Sequence, residues 1–183
     1  AEHWEKLLEK GIIPLYLVSD DGTGLKAGKE TALKKNLHQT DTVHAVAYRL
    51  GDLCRLLEQQ AHKAITEEYE CEGLYTRAVG AANKVKRYAA YQSAKAKSKD
   101  LIKLYEDFSF WYEFSIEQFQ LFDKNGIVLE LKPAQENLNL ALKEIGELEW
   151  FKETKNKKMK ETIKTIKGLI PNLFHFLERA KSI

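Results

Sequence analysis

A chain of 183 residues, 44% hydrophobic and 31% charged, is large enough for a buried core and too apolar for disorder. Its net charge of +2 makes no general case for nucleic acid, so that question rests on local charge runs. Two cysteines without knuckle or redox spacing argue against a disulfide scaffold and for a reducing, cytoplasmic setting; no apolar run approaches the ~20 residues of a membrane span, and no signal peptide is visible.

Only three prolines and ten glycines interrupt the chain, which favours helix. Residues 2–10 read as a short helix closed by Gly11. The apolar run from Ile12 to Val18 ends in Ser-Asp-Asp-Gly-Thr-Gly, the pattern of a buried strand entering a tight turn. Asp21 or Thr23 can cap a short helix over about 24–35, and a second strand follows over 38–43.

From His44 the period changes. Val43, Ala47, Leu50, Cys54, Leu57, Ala61 and Ala64 form one apolar helical stripe. Two more helices are expected, over 71–95 and 98–122. The second carries Tyr105, Phe108, Phe110, Trp111, Tyr112, Phe114, Phe119 and Phe122 on nearly every side, which predicts a helix sunk in the core. Asp123-Lys124-Asn125-Gly126 signals a turn, Pro133 opens a helix to about 149, and Pro171 should bend or break the last helix.

The expected fold is therefore mostly α with a small α/β part: strand–helix–strand over 1–44, then a helical domain over 45–183. Two strands do not make a stable sheet alone, so their sheet is expected to continue outside this chain. A first residue of Ala rather than Met also suggests an excised segment.

The candidate chemistry sits at the strand ends. A carboxylate at the end of a buried strand, such as Asp20, is rigidly held and close to solvent, as a divalent-metal ligand must be. The competing reading makes Asp20 and Asp21 turn residues beside Gly22. Asp41 and His44 fall at the same edge if the strands are parallel neighbours; otherwise Asp41 caps the helix that His44 begins. His38, Asp41 and His44 as a zinc site lack a second ligand pair. Lys84, Lys86, Arg87, Lys95, Lys97 and Lys99, interleaved with Tyr88 and Tyr91, are candidates for DNA-phosphate contact or simply a solvated helix face.

Two resemblances attach to these residues. Leu17-Val18-Ser19-Asp20-Asp21-Gly22-Thr23 is similar to the strand end of haloacid-dehalogenase-type phosphatases, but Ser19 replaces their nucleophilic Asp. The longer pattern Val18-Ser19-Asp20, Gly22, Gly24-Leu25-Lys26-Ala27-Gly28 and Gln39-x-Asp41-x2-His44 resembles the middle of an insertion-sequence transposase of the RNase H-like DDE class. That resemblance implies that Asp20 is the second of three metal-binding acids and that Asp41 and His44 support it. It also implies a helical insertion over 45–183, including Leu104-Tyr105-Glu106-Asp107-Phe108 and Leu121-Phe122-Asp123-Lys124-Asn125-Gly126. The first and third acids would lie outside the chain, so it would be inactive alone. Mg2+ is the implied cofactor and DNA the implied partner, with a homo-oligomer possible and no membrane. The alternative is a non-catalytic helical interaction or nucleic-acid-binding module.

Overall fold

The computed structural model describes residues 6, 9–11, 16–19, 37–148 and 157–181. Strands β1 (Tyr16–Ser19) and β2 (Leu37–Thr40) pair in parallel, with Tyr16 opposite Leu37 and Ser19 opposite Thr40. A single π turn, Val43–Ala47, leads into helix α1 (Tyr48–Thr76). Helices α2 (Ala81–Glu117), α3 (Leu131–Glu147), α4 (Lys157–Leu173) and α5 (His175–Ala180) follow, and β2 lies beside α4. The described part is mostly helical, as expected. None of its helices is long and apolar enough to cross a membrane.

α1 and α2 form a long antiparallel pair of about 43 and 55 Å. Their stripes meet through Leu50, Leu57, Ala61 and Ala64 on α1 and Ala94, Ser98 and Phe108 on α2. The approach is close: a methyl at Gly51 would meet the Tyr112 hydroxyl at 3.2 Å. The chain reverses where Arg77 donates from its backbone and its Nε to the Gly73 carbonyl. Gly80 then takes φ +85°, which a side chain would strain.

The core gathers at one end of this pair. Leu50, Leu57 and Phe108 pack with Leu138, Leu142 and Ile145 of α3, Ile166, Ile170 and Leu173 of α4, and Leu177 of α5. Phe119 stacks on Phe174, with ring centroids 5.0 Å apart. No α1 residue after Leu57 and no α2 residue before Leu104 belongs to this cluster. Residues 58–103 thus run on as a two-helix arm, whose buried positions are Ala61, Ala64, Ala78, Ala94 and Ser98.

Several expectations need correction. The helices expected over 71–95 and 98–122 are one helix from Ala81 to Glu117, preceded by a turn at 77–80. Lys95-Ala96-Lys97-Ser98 contains no breaker, whereas Gly80 supplies one. The aromatic helix is not sunk on all sides. Phe108 is fully buried, but Phe110 is 60% exposed. Phe122, 50% exposed, lies beyond the helix, in a bridge with Val128 around the Asp123 turn. The second strand ends at Thr40, because helical geometry begins at Thr42. Pro171 does not stop α4 at once: the helix runs to Leu173, and the break falls at Phe174. The helix expected over 24–35 lies outside the described residues, as do 12–15 of the first strand. Within 2–10, Lys6 and Glu9 are helical, and Gly11 follows with φ +74°.

Candidate functional site

The parallel register places Ser19 and Thr40 side by side at the carboxyl ends of β1 and β2. Asp20 and Asp21, the acids expected just past Ser19, lie outside the described residues. Asp41 follows Thr40 directly and is half-buried. One of its oxygens accepts the His44 backbone N–H at 3.3 Å, and the other lies 2.7 Å from His44 Nδ1. The His44 ring in turn packs at 5.0 Å from Tyr48. The structure therefore brings Asp41 and His44 together and gives Asp41 the geometry of a helix cap. The cap reading of Asp41 matches this arrangement, while its nearness to Asp20 involves a residue outside those described. His38 lies in β2, but its side chain is outside the described residues. Among those described, no three or more His, Cys, Asp or Glu side chains gather as a metal site.

The six basic candidates all lie on the arm, in the first half of α2, but not on one face. At about 100° per residue, Lys84, Lys95 and Lys99 fall within a stripe about 60° wide. Lys86 and Lys97 lie about 160° away from its members, on the other side. Lys97 is committed there to Glu67 of α1 by a 2.7 Å ion pair. That contact, and the charge of Lys97, hold the Glu67 carboxyl below its usual pKa. Arg87 is half-buried and, seven residues before Ala94, falls on the helix face that meets α1.

The stripe of Lys84, Lys95 and Lys99 carries an aromatic cluster beside it. Tyr75 of α1 lies 5.3 Å from Tyr88 and stacks parallel to Tyr91 at 6.2 Å. Lys95 reaches back to the Tyr91 hydroxyl at 3.5 Å and sits 5.6 Å from its ring centroid. Tyr69 belongs to the same side, since it lies two residues, or about 200°, from Glu67. Sequence reading missed Tyr69 and Tyr75. The pairing of Tyr75 with α2 becomes visible only once the chain reversal is located at Gly80.

A second polar cluster joins the helices nearer the core. Burial raises the Cys54 thiol pKa despite a hydrogen bond with Ser109, and the neighbouring Glu58 and Glu113 raise it further. Burial likewise raises that of the Tyr112 hydroxyl. A nucleophilic cysteine needs the opposite shift, so Cys54 is a packing residue. An open groove of about 370 Å³ beside the Asp123 turn, lined by Glu117, Gln120, Phe122 and Lys124, lies apart from the strand edge.

No protein-family model matches the chain, and neither a curated protein nor a solved structure does.

Proposed function

We propose that the chain is the central part of a DDE-type DNA transposase and is inactive by itself. In this reading Asp20 is the second of three metal-holding carboxylates. Asp41 and His44 brace the edge beside it, and residues 45–183 are a helical insertion. One observation supports this above the others: the strands that precede Asp20 and Asp41 pair in parallel, with their carboxyl ends together. Such a pair requires a crossover of a dozen or more residues, and the chain supplies residues 20–36 for it.

The described residues fit a divalent cation only in part. Asp41 has oxygens of the kind Mg2+ takes, but both are engaged by His44. Holding the cation would then fall to Asp20 together with acids of the complete protein. Bound ions supply activation of the attacking hydroxyl and stabilisation of the leaving oxygen at a DNA phosphodiester. The contribution of Asp41 is to fix the His44 ring and the start of the helical region beneath that edge.

The test uses the protein encoded by the whole surrounding reading frame. Asp20→Asn should abolish Mg2+- or Mn2+-dependent cleavage and strand transfer while leaving the circular dichroism spectrum unchanged. Asp21→Asn should keep most activity, since Asn also caps a helix well. The reverse order refutes the assignment. The 183-residue chain alone should neither nick nor join supercoiled plasmid; cleavage by it, lost on Asp20→Asn, would show that the site is complete.

A second reading, a non-catalytic helical interaction or nucleic-acid-binding module, is favoured by the engagement of both Asp41 oxygens in a cap. An upstream strand-borne Asp and a downstream helix-borne Glu in the flanking coding sequence belong to the transposase reading alone.

A further inference from the structure

The arm has one side whose chemistry is not explained by its own packing. Tyr69 is 76% exposed and Tyr88 is 47% exposed, while the arm's seam is lined by small residues. Lys84 and Lys99 have no ion-pair partner among the described residues, while Lys97 on the opposite side is paired. Lys95 is held against Tyr91 and not against an acid. The side is not purely basic: Tyr69 lines a surface hollow with Glu70, Glu72 and Arg77, and Glu58 and Glu106 lie towards the core end.

We infer that this side of the arm, formed by Lys84, Lys95, Lys99, Tyr69 and Tyr88, binds single-stranded DNA. Three ammonium groups spread over about 22 Å of helix form a row of charge that several successive phosphates of one strand can follow. Tyr88 stands between Lys84 and Lys95 along α2 and Tyr69 is exposed on α1; exposed tyrosine rings near such charges are what unpaired bases stack on, and stacking tolerates any sequence because every base has a π-face. A duplex keeps its bases stacked on one another and has no use for the rings, so the same lysines alone would favour neither form. The choice of DNA rests on the transposase reading, in which strands are cut and released near this chain; the choice of single strand rests on the tyrosines.

The experiment is fluorescence anisotropy with the full 183-residue chain, a labelled 30-nucleotide oligo(dT) and a 30-base-pair duplex. Oligo(dT) should bind more tightly than the duplex, with a log–log salt slope of about −2 from three phosphate contacts at about 0.7 each. Changing Lys84, Lys95 and Lys99 together to Gln should flatten that slope to near zero. The opposite-side variant Lys86→Gln with Lys97→Gln should leave it within experimental error. Tyr69→Ala and Tyr88→Ala should each weaken oligo(dT) binding at least about fivefold, the low end for loss of one base stack, and leave duplex binding unchanged. Circular dichroism checks that each variant is folded. Preference for the duplex by the unaltered chain overturns the inference without needing any variant. So do equal losses from the two lysine sets. Stronger binding to oligo(U) than to oligo(dT) overturns the assignment to DNA. None of these outcomes bears on Asp20, whose transposition assay stands or falls separately.

Discussion

Phe108 and Phe110 are two residues apart on α2, look alike in the sequence, and should behave very differently when truncated. Phe108 is fully buried among Leu50, Leu57 and the α3–α5 core, so Phe108→Ala loses the whole transfer term and leaves a cavity. That change costs about 3–5 kcal/mol, against a total of about 5–15 kcal/mol for an ordinary domain. Phe110 is 60% exposed, and among the described residues its ring meets one other, Trp111, edge-on at 5.0 Å. Phe110→Ala should cost about 1 kcal/mol, from its smaller buried area and that contact. Urea unfolding followed by circular dichroism measures both. With a slope of about 2 kcal/mol/M, the Phe108→Ala midpoint should fall by about 1.5–2.5 M and the Phe110→Ala midpoint by about 0.5 M. Two midpoints within about 0.3 M of each other would mean that α2 is not rotated as described. The placement of its lysines would then fail as well, since one rotation sets both.

Asp41→Ala removes the acceptor for the His44 backbone N–H and ring, and should cost about 1 kcal/mol in the same assay; no change would show that the cap is not formed in solution. Asp123 accepts the backbone N–H groups of Ile127 and Asn125, chiefly the former, and these hold its carboxyl pKa below the ordinary value. The unfolded chain therefore binds the proton first on acidification. Stability from Asp123 is complete above the ordinary carboxylate range and is lost as pH falls through the lowered value. Urea midpoints of Asp123→Ala should accordingly vary less with acid pH than those of the parent chain, and parallel curves would contradict this. Cys54, with its thiol pKa raised chiefly by burial, should react with iodoacetamide at mildly alkaline pH more slowly than an unfolded control peptide of the same local sequence; equal rates would count against the described packing.

Much of the helical architecture was readable from spacing. Of the stripe expected from His44 onward, Leu50, Leu57, Ala61 and Ala64 are buried and Cys54 is half-buried, because a 3.6-residue period leaves one face to meet a neighbour. The turn at Asp123-Lys124-Asn125-Gly126 also lies where its residues placed it, since Asp123 supplies the acceptors and Gly126 the φ of +77°. Helix ends were less legible. Gly80 offers a local breaker and Lys95-Ala96-Lys97-Ser98 offers none, but that the chain reverses there into an antiparallel pair is decided by the match of α1 against α2. Strand content was indicated by the apolar run before Ser19, but whether β1 and β2 pair, in which direction and in what register depends on atoms far apart in the chain. The basic candidates show the same division. Composition identified Lys84, Lys86, Arg87, Lys95, Lys97 and Lys99, while tertiary structure divided them. A helix with charge on several sides has no preferred face until a partner covers one, and here α1 does so, taking Arg87 inward, pairing Lys97 with Glu67, and leaving Lys84, Lys95 and Lys99 beside exposed tyrosines.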